Sequence, residues 1–62
     1  MKKLLFKLAI EAGHDLYPSL KSTRDLLDVM RYDGLITEEE WENYCEQAKD
    51  FPLISEALKI LT

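Results

Sequence analysis

Tyr32-Asp33-Gly34-Leu35-Ile36-Thr37-Glu38-Glu39-Glu40-Trp41 packs a helix end, a turn and a helix start into one short stretch. Gly34 suits the left-handed position that closes a helix, because a residue without Cβ enters it at no steric cost. Thr37 and Glu40 have the spacing of a capping box, and Ile36 and Trp41 stand where a hydrophobic staple places its pair. Upstream, Leu26, Leu27, Val29 and Met30 form one apolar face, opened by Ser22 with Asp25 three residues on. Downstream, Trp41, Tyr44, Cys45 and Ala48 recur at helical spacing. Two capped helices follow, over about 23–32 and 38–49.

The same periodicity extends outward. Leu5, Leu8, Ala9 and Ala12 define a stripe on a first helix over about 2–12. Leu4, Phe6 and Ile10 fall outside it and leave a polar sector of little more than Lys3, Lys7 and Glu11. So wide an apolar surface implies more than one neighbour, and Leu4, Phe6 and Ile10 are the expected apolar contacts to a partner. Residues 13–21 contain Tyr17-Pro18, which biases Tyr17 away from helical angles, so an irregular linker is expected there. Phe51-Pro52 interrupts the chain again, with Asp50 as a cap, and Ile54, Ala57, Leu58 and Leu61 mark a last helix over about 53–61. No stretch alternates as a strand would. The fold expected is all-α, one domain over 1–62, a small bundle of three to four short helices.

At 62 residues and 7.2 kDa, such a core supplies only about 3–5 kcal/mol. The usual supplements of a mini-protein are missing: Cys45 is the only cysteine and His14 the only histidine, so neither a disulfide nor a zinc site of four Cys or His ligands is open to the chain alone. Tight packing, self-association or a partner must serve instead. The start Met1-Lys2-Lys3-Leu4-Leu5-Phe6 imitates a signal peptide, but Lys7 and Glu11 interrupt the apolar stretch. No run approaches the roughly 18–20 apolar residues of a membrane span. With its unpaired cysteine the chain suits a reducing compartment, and a cytoplasmic location is expected.

Three motif readings bear on function. Asp33-Gly34-Leu35-Ile36 with Glu40 resembles the second half of an EF-hand loop, whose calcium needs oxygen ligands at positions one, three, five and twelve. Val29 and Arg31 occupy the first two of those positions, which rules calcium out. The region from Arg24 to Ala48, through Leu26, Leu27, Met30, Gly34, Leu35, Ile36, Thr37, Glu38, Glu39, Glu40 and Trp41, resembles the short two-helix SHOCT family. That resemblance implies a small oligomerisation module appended to another protein, hence a self-associating chain. The short Gly-containing turn also has the outline of a helix-turn-helix, which implies DNA binding through the second helix. Here that helix begins Glu38-Glu39-Glu40 and continues through Glu42 and Glu46, carboxylates that oppose a polyanion. Nucleic acid becomes a minor alternative.

The net charge of −4 divides unevenly: residues 1–31 carry six Lys or Arg against four Asp or Glu, a net +2, and residues 32–62 carry two against eight, a net −6. Glu38, Glu42, Glu46 and Asp50 follow one another four apart, an acidic ridge beside the apolar stripe. Like charges at this spacing destabilise a helix by roughly 0.2–0.5 kcal/mol per pair. The helix dipole rewards Glu38, Glu39 and Glu40 but neither Glu42, Glu46 nor Asp50. A tolerated local cost points to an electropositive protein surface as partner, bound by Glu38, Glu39, Glu42, Glu46 and Asp50. Catalytic constellations are poor, because His14-Asp15 with Ser19 or Ser22 supplies triad residue types without a nucleophile elbow. No glycine-rich phosphate loop or other cofactor motif occurs. The expected function is a non-enzymatic, acidic, protein-binding regulator or inhibitor, of a kind phages encode, that docks on a basic site of a larger protein, a nucleic-acid-binding surface being one such site; self-association and DNA binding are the alternatives.

Overall fold

The computed structural model describes residues 2–60, where four helices follow one another: α1 (Lys2–Leu16), α2 (Thr23–Tyr32), α3 (Glu38–Ala48) and α4 (Ile54–Ala57). The turn between α2 and α3 behaves as its residues require. Gly34 takes φ +77°, and Leu35 N donates to Met30 O at 2.9 Å while Gly34 N donates to Arg31 O at 3.1 Å. These are the two hydrogen bonds of a Schellman motif, which satisfy carbonyls that a helix end leaves open. Glu40 N donates to Thr37 Oγ1 at 3.1 Å and Thr37 N donates to Glu40 Oε1 at 2.9 Å, completing the capping box. Asp25 N donates to Ser22 Oγ at 3.4 Å at the start of α2. The all-α small bundle read from the sequence is the fold.

Phe6 and Ile10 of α1, Leu26, Leu27 and Met30 of α2, Ile36 of the turn and Ala48 of α3 form the core, closed by Ile54, Ala57 and Ile60. Around the Phe6 ring, Tyr44 and Phe51 sit at centroid distances of 6.2 Å with tilted planes, the offset that aromatic quadrupoles favour. The hairpin of α2 and α3 supplies one wall, and α1 lies across it.

The first helix differs from expectation in length and in facing. It runs through Gly13 to Leu16 and ends only where Tyr17-Pro18 stops it, with Tyr17 N donating to Gly13 O at 2.9 Å. Its buried side is Phe6, Ile10 and Gly13, while Leu5, Leu8 and Ala12 are exposed. Phe6 and Ile10, expected to offer apolar surface to a partner, have none to offer, and only Leu4 keeps part of its side chain in solvent. Gly13 gives the physical reason. A Cβ there would stand 2.4 Å from Met30 Sδ and 3.1 Å from Leu26 Cδ1, so α2 approaches α1 along the one side where a side chain is missing. Glycine serves here as a contact, not as a stop.

The last segment differs too. Instead of a helix over 53–61 there is a single turn at α4, followed by a bend at Leu58 and Lys59; Leu61 lies outside the described residues. Asp50 does not cap it, for Asp50 N closes α3 by donating to Gln47 O at 3.1 Å. The cap is Leu53, whose N–H donates to Glu56 Oε1 at 3.3 Å. What holds this end is a short antiparallel bridge between Ser22 and Leu53. Thr23 N donates to Pro52 O at 3.0 Å, Ile54 N to Lys21 O at 2.8 Å, and the fully buried Thr23 Oγ1 to Phe51 O at 2.6 Å.

Two stability predictions follow from these contacts. Thr23→Val keeps the shape but removes the donor from a part-buried carbonyl, so unfolding free energy in urea is expected to fall by about 1–3 kcal/mol; Thr23→Ser, which keeps the hydroxyl, should recover most of that loss. For Gly13→Ala, the helix gains about 1 kcal/mol of propensity, but overpacking against Met30 and Leu26 costs about 1–3 kcal/mol. Because both neighbours are buried, a net loss is expected, read as a lower denaturation midpoint with unchanged slope.

Candidate functional site

All five ridge residues, Glu38, Glu39, Glu42, Glu46 and Asp50, are exposed, as a helix turning its apolar side to the core dictates. Their electrostatic states differ. Arg31 Nη1 lies 3.3 Å from Glu38 Oε1, and Lys49 Nζ lies 3.0 Å from Glu46 Oε2, both at the surface where such pairs contribute little. Glu39, Glu42 and Asp50 have no ion-pair partner among the described residues. Paired and unpaired carboxylates therefore alternate along the ridge, Glu38 and Glu46 against Glu42 and Asp50, with Glu39 unpaired beside its start.

Beside it, on the seam between α2 and α3, lies a feature that no sequence motif marks. The Trp41 ring carries the Arg31 guanidinium at 4.4 Å and that of Arg24 at 5.1 Å from its centroid. Trp41 Nε1 donates to Asp28 Oδ1 at 2.8 Å, and Arg24 Nε reaches the same oxygen at 3.4 Å. Cation–π contacts of this kind contribute roughly 0.5–1 kcal/mol at exposed sites. Positions 24, 28 and 31 share one face of α2, the face that meets the start of α3. The two arginines nearest the acidic helix are thus occupied by the tryptophan. The retained signal in the sequence was their helical spacing opposite a lone Trp, which only the pairing of the helices makes legible.

Cys45 is half-buried beneath this cluster. Burial raises its thiol above the ordinary value, Arg24 and Arg31 pull it down, and Asp28 adds to the rise. Tyr44, on the other flank of α3, is raised first by burial and then by the Glu40 carboxylate. A thiol so placed is a poor nucleophile at neutral pH.

The candidate triad types do not converge. His14 and Asp15 occupy the last turn of α1, while Ser22 Oγ is used in capping α2, and no side-chain hydrogen bond joins them among the described residues. Nor do three or more His, Cys, Asp or Glu side chains gather where they could hold a metal ion, among the described residues. No helix of the described residues is long and apolar enough to cross a membrane. For a helix-turn-helix use of α3, the end that would enter the groove presents Glu38, Glu39 and Glu40, of which only Glu38 has an ion-pair partner, Arg31, among the described residues. Across known proteins, no family model, no curated protein and no solved structure matches the chain.

The raised thiol and phenol set a pH dependence. The unfolded chain releases those protons first, so above that point it binds fewer protons than the folded chain and stability falls as pH rises. The denaturation midpoint is expected to drop once pH passes about 8.5, where an ordinary thiol ionises. Cys45→Ala should remove part of that drop and leave the neutral-pH side unchanged.

Proposed function

We propose that the chain is a non-enzymatic protein-binding regulator that docks the outer face of α3 on an electropositive surface of a larger protein. The observation that carries this reading is the set of exposed carboxylates on Glu39, Glu42 and Asp50, unpartnered among the described residues while Arg24 and Arg31 are held by Trp41. A helix that keeps Glu38, Glu42, Glu46 and Asp50 four apart sacrifices local stability, and a cationic partner surface returns it on binding. Electrostatic complementarity of this sort speeds association and fixes register. A surface that otherwise holds phosphate has the matching chemistry, so masking a nucleic-acid-binding site is the inhibitory form of the same function. The lone thiol of Cys45 fits a reducing, cytoplasmic setting.

An affinity pull-down with the tagged chain is the test, comparing wild type with Glu42→Lys/Glu46→Lys. Wild type is expected to retain proteins of basic surface that salt releases. The double variant should lose them by about tenfold or more, with an unchanged helical circular dichroism spectrum. Retention that survives charge reversal would overturn the acidic-face reading.

A further inference from the structure

The exposed side of α1 and the turn after α2 together form a groove. Leu5, Leu8, Ala12 and Leu16 line one wall and Leu35 and Ile36 the other, around a volume of about 360 Å³. The four leucines are far from buried, with fractional exposures of 57%, 51%, 60% and 47% for Leu5, Leu8, Leu16 and Leu35. At Leu5, Glu40 and Tyr44 the groove adjoins a smaller cavity of about 160 Å³ that Asn43 and Gln47 complete. The Oε1 atom of that Gln47 is buried with no hydrogen-bond donor among the described residues. A contiguous apolar patch of this kind marks an interaction surface.

The charges around the groove define its occupant. Glu40 is the one charged residue lining either cavity among the described residues. On the outer border Leu8, Glu11 and Asp15 stand at i, i+3 and i+7, so the two exposed carboxylates run alongside the leucine stripe. Acid thus borders the groove on both sides, by helical position at Glu11 and Asp15, which line a separate cavity with Lys7 and His14. No Lys or Arg lines the groove itself among the described residues. From Leu5 to Leu16 the stripe is about 16 Å long, three turns at 1.5 Å per residue. That matches the anchor spacing of a helix laid in a groove. Strand addition has no template, since the described residues pair only at the isolated Ser22–Leu53 bridge.

We propose that this groove docks an amphipathic helix of a partner protein, with leucine-sized side chains on one face and Lys or Arg along its edges. The apolar face fills the space between Leu8, Leu16 and Leu35, and the basic edges meet Glu11 and Asp15 on one side and Glu40 on the other. A second copy of this chain fits less well, because a two-fold interface sets each patch against itself. It would bring the carboxylates of Glu11, Asp15 and Glu40 from two copies together with no Lys or Arg of the groove to meet them, a like-charge arrangement that opposes pairing. The groove lies on the α1 flank of α3 and the acidic ridge on the α2 flank, so the two surfaces are separable.

The test is a titration of the isotope-labelled full chain, followed by amide chemical shifts, with three synthetic peptides of about 15 residues, enough for the three turns of the stripe. One alternates Leu and Lys at helical spacing, the second replaces every Lys by Glu, and the third replaces every Leu by Ser. The Leu/Lys peptide is expected to shift Leu5, Leu8, Leu16, Leu35 and the Gln47 side-chain amide, and the other two to leave them in place. Leu8→Ser/Leu16→Ser should weaken that binding about tenfold or more with the helical circular dichroism spectrum retained, since both side chains are more than half exposed. Glu42→Lys/Glu46→Lys should leave it unchanged. Equal binding by the Leu/Glu peptide, or shifts confined to Glu38–Asp50, would overturn the proposal. So would a dimer in sedimentation equilibrium that Leu8→Ser/Leu16→Ser converts to monomer, because the occupant would then be a second copy.

Discussion

The close approach of α2 to Gly13 is the constraint on which the other features depend. With Leu26 Cδ1 about 3.1 Å and Met30 Sδ 2.4 Å from where a Cβ would stand, only the Phe6–Ile10–Gly13 side of α1 can face the hairpin. A rotation of α1 that put a residue with a side chain in the place of Gly13 would push Met30 and Leu26 away from it and loosen the contact between the two helices. Once that side is fixed, the rest of α1 is decided. Leu5, Leu8 and Leu16 turn outward and Phe6 meets Tyr44 and Phe51. The exposed leucines are a consequence of a packing choice, not of an absence of apolar partners in the sequence.

A second constraint closes the other end. In a chain this small, one turn at α4 cannot hold itself, since nucleating a helix fixes several residues for one hydrogen bond. The bridge between residues 21–23 and 51–54 supplies the missing order. It satisfies the Thr23 and Ile54 N–H groups and the Phe51 carbonyl at once, and sets Ile54 and Ala57 against the core. Thr23 is the one buried polar residue among the described residues, and its hydroxyl is spent on this bridge. Near α3 the same economy holds at the surface, where Asp28 accepts from both Trp41 and Arg24.

What the sequence made legible was local, and what it concealed was the choice between faces. The α2–α3 hairpin could be read nearly to the residue because each end carries its own chemistry, Ser22 and Asp25, Gly34, Thr37 and Glu40. Exposure of the ridge from Glu38 to Asp50 could be read for the same reason, as the far side of an apolar stripe. The facing of α1 could not. Two overlapping apolar stripes, one through Leu5, Leu8 and Ala12 and one through Phe6 and Ile10, have the same period, and the missing Cβ of Gly13 that decides between them acts only through the approach of α2. The fourth segment misled in a related way: Ile54, Ala57 and Leu58 have helical spacing, yet a long-range backbone bridge rather than periodicity sets where that turn begins. The Trp41 cluster depends on helix pairing and so has no local signature.

The uneven charge of the chain acquires its meaning from these placements. The first half is net positive in composition, but Arg24 and Arg31 face Trp41 and Arg31 also lies against Glu38. The two arginines are therefore held at the seam, while Glu39, Glu42 and Asp50 face solvent without an ion-pair partner among the described residues. Helix α3 divides the molecule. Its α2 flank is polar and charged, and its α1 flank borders an apolar trough in which Glu40 is already held by the Thr37 cap. A carboxylate whose position the cap fixes costs little further entropy when a cation meets it. For a chain whose own core is marginal, any partner that covers the leucines of α1 adds apolar burial that the fold cannot make alone. Binding and stability are then linked: the surface left open by the Gly13 contact is also the one whose covering would most stabilise the bundle.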